Sequence, residues 1–117
     1  MRAVVAESLR HDGHIVRELS DGARLLVHIA RQYQKHDPTH AIDLIVSDLR
    51  MPVVSGLAML RGLRAAHWET PVILMTAFGD EDVRAQVAEL HAVLLDKPFS
   101  MAALRAKVNE LLAAHRN

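Results

Sequence analysis

Apolar positions along the chain alternate between two spacings, about 3.6 residues and about 2, which is the signature of helices alternating with strands. The spacing predicts a helix from Met1 to about His11, with Val4, Val5 and Leu9 on one side and Asp12-Gly13 as its stop. His14 to Leu19 (HIVREL) has strand character and ends at the turn residues Ser20-Asp21-Gly22. Helical spacing returns from Ala23 to Tyr33 through Leu25, Leu26 and Ile29, and the polar run Gln34 to His40, with Pro38, reads as a loop.

The second half repeats the alternation. Leu44-Ile45-Val46 is a short continuous apolar run, as a strand buried on both faces requires. A turn with Met51-Pro52 leads to a helix from about Ser55 to His67, where the Ser55 hydroxyl is placed to cap a free first-turn N–H. Pro71 to Ala77 (PVILMTA) predicts a second buried strand, Asp80 to Leu90 a more polar helix, and Val93 to Asp96 (VLLD) the last strand. Ser100 caps a final helix with Leu104, Val108, Leu111 and Leu112 on its inward stripe. Leu25, Leu26, Leu60, Leu63, Ile73 and Leu111 are the expected core, while Arg84, Gln86 and Glu89 are expected on a solvated face.

One helix followed by four strand–helix units implies a parallel sheet with helices on both faces. Such sheets bind ligands beyond the carboxyl ends of their strands. Three polar side chains fall there: Asp48 after LIVS, Thr76 after ILM and Lys97 after VLLD. A carboxylate at that place can attack phosphorus and hold it as an acyl phosphate. A hydroxyl can hydrogen-bond one phosphoryl oxygen, and an ammonium can neutralise another. As isolated residues, Asp48 reads as a turn residue, Thr76 as a β-branched strand residue and Lys97 as a surface lysine. Their joint placement favours the chemistry.

The segments around these residues resemble the response-regulator receiver domains of two-component systems. SDLRMPVVSGL (Ser47 to Leu57) is similar to the phosphoacceptor loop, with Asp48 as acceptor. LMTAFGD (Leu74 to Asp80) is similar to the loop that carries the switch hydroxyl, here Thr76, and DKPF (Asp96 to Phe99) to the Lys-Pro pair with its cis peptide. The resemblance implies a flavodoxin-like, doubly wound α/β fold and phosphoryl transfer from a sensor histidine kinase or phosphotransfer protein. It also implies a Mg2+ ion beside the acceptor, for which Asp48 and the backbone carbonyl of Arg50 are the remaining ligands, an incomplete site. The family's first strand and its acidic pair have no counterpart here, because RAVVAESLRHDGHIVRELSDG aligns with the first helix and second strand. A truncated sheet of four strands instead of five is therefore expected. Losing that strand removes about four buried apolar side chains at about 1.5–3 kcal/mol each. The gap would close by the second strand moving up, by a second copy pairing across it, or by residues upstream of Met1. The last strand carries leucines where the family usually has an aromatic switch residue.

Composition narrows the functional classes. The 117 residues suit one domain, 1–117, with no output domain. Half are hydrophobic, and with one Trp, one Tyr and two Phe the core must be aliphatic. Lys plus Arg and Asp plus Glu balance at 14 each, so the basic excess of a nucleic-acid binder is missing. With no cysteine there is neither a disulfide nor a thiolate metal site. No apolar stretch reaches the roughly 18 residues of a membrane span. The eight histidines are scattered without helical ligand spacing. Asp21 reaches the site only if the second strand slides inward. The leading expectation is a cytoplasmic, non-enzymatic signalling module that acts by protein contacts as a homodimer, without nucleic acid or membrane. The alternative is a phosphate-independent pseudo-receiver used for dimerisation or docking, and a nucleotide-binding enzyme ranks far below because no glycine-rich phosphate loop is present.

Overall fold

A computed structural model of the chain describes residues 2–18, 24–28, 31, 42–50, 54–77, 79 and 81–115. Its first element is helix α1 (Arg2–His11), followed by a helical stretch at 24–28. Strand β1 (Ile45–Asp48), helix α2 (Gly56–Ala65) and strand β2 (Val72–Thr76) come next. Helix α3 (Glu81–Glu89), strand β3 (Val93–Asp96) and helix α4 (Met101–His115) complete the order. The three strands form one parallel sheet in the order β1-β2-β3. Ile45 lies beside Val72 and Asp48 beside Met75, while Ile73 lies beside Val93 and Thr76 beside Asp96.

The alternation of each strand divides the core in two. Ile45, Val72 and Leu74 face a cluster with Met59, Leu60, Leu63 and Val87 from α2 and α3. Ile73 and Met75 face the other way, against Val5 and Leu9 of α1 and Leu104 and Val108 of α4. All five residues of β2 are buried, which is why PVILMTA reads as an unbroken apolar run. Of the expected core residues, Leu60, Leu63 and Ile73 are buried. Leu25, Leu26 and Leu111 pack at the cluster margins.

The helix ends obey local rules. The Ser55 and Ser100 hydroxyls accept from the amides of Ala58 and Ala103, as their spacing predicts. α1, α2 and α3 each end in the same paired motif, in which the amide of the third residue beyond the helix bonds the carbonyl five positions back. The three bonds are His14 to Leu9, Trp68 to Leu63 and Ala92 to Val87. The left-handed residue in these motifs is Gly13 once and a histidine twice, His67 (φ 63°) and His91 (φ 54°). Histidine tolerates this region better than most residues.

One expectation is corrected. His14 to Leu19 was expected to be a strand, but the described part, 14–18, joins no sheet, so three strands are present among the described residues rather than four. Val16 packs on the α1/α4 cluster while Ile15 is fully exposed, so the predicted alternation of faces is real. The Val16 carbonyl accepts from Arg10 Nη2 at 3.0 Å, a side-chain partner where a strand would offer a backbone one. The Ser20-Asp21-Gly22 turn, the Gln34–His40 loop and Met51-Pro52 lie outside the described residues. No helix among the described residues is long and apolar enough to cross a membrane.

Candidate functional site

Each strand delivers one polar residue to the same end of the sheet. Asp48 is the last residue of β1, Thr76 the last of β2, and Lys97 follows β3 directly. The Lys97 amide donates to the Thr76 carbonyl at 2.7 Å, so the ladder holds the lysine one step past the strand. From there its Nζ reaches Asp48 Oδ1 at 2.6 Å. β1 and β3 are not neighbours, and β2 stands between them, so the pair spans two strand spacings of about 4.8 Å each. A long, flexible lysine stem suits that reach. Both partners are about one-third exposed, 28% for the lysine and 35% for the aspartate, so the pair is open to a ligand and to water. Thr76 is buried at 5%.

The backbone around Asp48 is closely supported. The Gly56 amide donates to the Leu49 carbonyl at 2.9 Å, which folds the chain back as α2 begins. A Cβ on Gly56 would stand 2.3 Å from the Asp48 carbonyl oxygen and 3.1 Å from a Leu74 methyl, so only glycine fits. The Ser47 hydroxyl donates to that same Asp48 carbonyl at 3.0 Å. On the far side of β2, a Cβ on Gly79 would meet Thr76, Leu94 and Asp96 at 3.0 to 3.3 Å. Neither glycine stands out in sequence; the only signal is that they fall in the SGL and TAFGD segments that follow Asp48 and contain Thr76.

Lys97-Pro98 is a cis peptide, as the resemblance implies. Leu94 pairs with Leu74 in the ladder and packs on the α2/α3 cluster, where an aromatic switch residue was not expected. Asp96 points to the opposite side of β3 from Lys97 and accepts from Arg84 Nη2 on α3 at 2.7 Å. Arg84 and Gln86, expected only to face solvent, therefore have partners, since Gln86 also accepts from Arg61 of α2.

The fit to magnesium is poor. Among the described residues no three His, Asp or Glu side chains gather as metal ligands. Asp48 offers a single carboxylate, already engaged by Lys97, and Arg50 can add a backbone carbonyl; octahedral magnesium asks for more oxygen donors than that. Asp21 lies outside the described residues.

The family model of the response regulator receiver domain matches residues 1–109. The chain belongs to this family. Response regulator RR06 of Streptococcus pneumoniae is 34% identical over 113 residues, which cover 96% of this chain and 48% of that protein. The transcriptional regulatory protein CusR of Escherichia coli is 42% identical over 71 residues, 60% of this chain and 31% of that protein. This receiver chain thus spans about half or less of the length of these curated relatives. Among solved structures, the receiver domain of the Francisella response regulator 1452 superposes with a TM-score of 0.83 at 26% identity, covering 97% of this chain and 88% of that one. A receiver domain from Clostridium thermocellum also reaches a TM-score of 0.83, at 23% identity, and supports the flavodoxin-like fold alone. The chain is accordingly a receiver domain of two-component signal transduction.

Proposed function

We propose that Asp48 is the phosphoacceptor of this receiver. The observation that carries the reading is the Lys97–Asp48 pair, 2.6 Å across the central strand at the carboxyl end of the sheet. A carboxylate oxygen of Asp48 attacks the phosphorus of a phosphohistidine on a sensor kinase or phosphotransfer protein. The P–N bond breaks, the imidazole nitrogen takes up a proton, and an acyl phosphate remains on Asp48. Lys97 neutralises one phosphoryl oxygen and the Thr76 hydroxyl bonds another, each by a charge-assisted hydrogen bond. The donors among the described residues do not build a magnesium site, and no step is assigned to the ion. The domain then acts in the cytoplasm through protein contacts, as a regulator rather than as an enzyme with its own substrate.

The test is intact-mass analysis after incubation with acetyl phosphate and magnesium, with Asp48→Ala alongside. A gain of one phosphoryl group that is absent from the mutant supports the reading. No gain, in a sample whose circular dichroism shows it folded, favours a phosphate-independent pseudo-receiver. Among the described residues β2 is the only strand beside β1, and an edge position of that kind favours the second reading. Such an edge suits dimerisation or docking by strand addition.

A further inference from the structure

The segment 14–18 and the helical stretch after it present side chains on one side of the sheet. Val16 packs on the α1/α4 cluster and burial alternates along 14–17, so Ile15 and Arg17 face the α2/α3 side. Leu25 and Leu26 pack against the α2/α3 cluster, which places the stretch 24–28 on that same side. Ile15 is fully exposed and Val27 half exposed, two of the three large apolar side chains that stand in solvent among the described residues. Arg17 and Arg31 are exposed on the same two elements, and Arg31 lies one helical turn beyond Val27. Burial pushes the His28 imidazole below its ordinary pKa, and the charges of Arg17 and Arg31 push it the same way, so both guanidiniums lie near it. Among the described residues no carboxylate pairs with Arg17, His28 or Arg31, and Glu18, next to Arg17 in sequence, is held by Arg10 at 3.4 Å. The backbone of 14–18 joins no sheet among the described residues.

We propose that this surface docks an extended acidic segment of a partner protein, in which carboxylates alternate with apolar residues. The carboxylates meet Arg17 and Arg31, the apolar side chains cover Ile15 and Val27, and the partner's main chain bonds that of 14–18 as an added strand. Charge complementarity selects an acidic partner over a basic one. The extended backbone selects a peptide over other anions, because a lipid surface has no main chain to offer. Membrane docking also draws on clusters of about 4–8 Lys or Arg, more than this surface carries. A nucleic acid is disfavoured by the balance of 14 basic and 14 acidic residues in the chain. The proposal is independent of the role of Asp48, since neither element contributes a residue to that site.

The test is fluorescence anisotropy of the whole chain with a labelled peptide of alternating glutamate and valine at low salt, read together with amide NMR shifts. The peptide should bind and shift the amides of residues 14–18 and 24–28, while the matching lysine–valine peptide should not bind. Arg17→Gln and Arg31→Gln should each weaken binding about two- to fivefold, the scale of an exposed ion pair. Ile15→Ser should weaken it as well. A glutamate–valine peptide N-methylated at alternate amides should lose binding, since an added strand needs those donors. Circular dichroism should be unchanged in every variant, because the three side chains replaced are exposed. Absence of binding, equal binding of the lysine peptide, or binding that the arginine substitutions leave untouched overturns the proposal. So does a dimer in sedimentation that the same substitutions dissociate, which would make a second copy the occupant. Retention on phosphatidylserine vesicles without peptide binding overturns it in favour of a lipid surface.

Discussion

The placement of Asp48, Thr76 and Lys97 at the carboxyl ends of the three strands was legible in the sequence, because each directly follows or ends a short buried apolar run. The glycines that shape their surroundings were not legible, since the need for a missing Cβ arises only when α2 folds back onto β1 and the segment after β2 folds back onto the ends of β2 and β3. Gly56 provides the sharpest consequence. An alanine there must push away the Asp48 carbonyl, which its Cβ would approach to 2.3 Å, and backbone yields less readily than a flexible side-chain end. Gly56→Ala should cost about 1–3 kcal/mol of stability, as overpacking does. It should also lower phosphoryl uptake, because the displaced carbonyl belongs to the acceptor itself. Urea unfolding and the acetyl phosphate mass experiment on one preparation check both effects. A variant that is destabilised yet phosphorylated as fast as wild type would show that the carbonyl and the carboxylate move independently.

Between elements, one side chain does what no local pattern announces. Arg64, in the last turn of α2, donates to the carbonyls of Trp68 at 2.6 Å and Thr70 at 3.0 Å, and through Nε to Leu90 at 2.7 Å just beyond α3. It thus ties the ends of two helices to one another at the amino end of the strands, opposite the site, and burial pushes its guanidinium below its ordinary pKa. Arg64→Leu keeps the apolar stem and removes the donors, leaving these carbonyls to water or to nothing. The expected loss is about 2–3 kcal/mol, the scale of hydrogen bonds to a charged group. It should be read as a lower urea midpoint with an unchanged slope. The elements themselves were largely legible, including both serine caps and the three strands found. The exception was His14–Leu19. Period-2 burial reports that one side of a segment faces the core, as Val16 does and Ile15 does not, but it cannot report whether a neighbouring strand lies within hydrogen-bonding distance.

At the scale of the whole molecule, the chain is closed by a contact that joins its two ends. Arg105 of α4 donates through Nε to Asp12 Oδ2 at 2.6 Å and through Nη2 to the other carboxylate oxygen, across 93 positions of sequence. Sequence spacing says nothing about a pair so far apart, and Asp12 there reads only as part of a helix stop. The hydrogen bond from Arg105, aided by its charge and by those of His14 and His11, holds the Asp12 carboxyl below its usual range. The carboxyl pKa is lower in the folded chain than in the unfolded one. The unfolded chain therefore binds more protons as pH falls through the ordinary aspartate value of about 3.9. The pair's contribution to stability is thus fully present above that value and is lost as pH falls through the depressed folded value. Asp12→Asn abolishes this dependence. The stability gap between wild type and Asp12→Asn should be present at about pH 5 and narrow steadily below about pH 4. Urea midpoints of both proteins across that range measure it directly. A gap that does not change with acidity would mean that Arg105 holds the α1 turn through the shape of its fork rather than through the charge of Asp12.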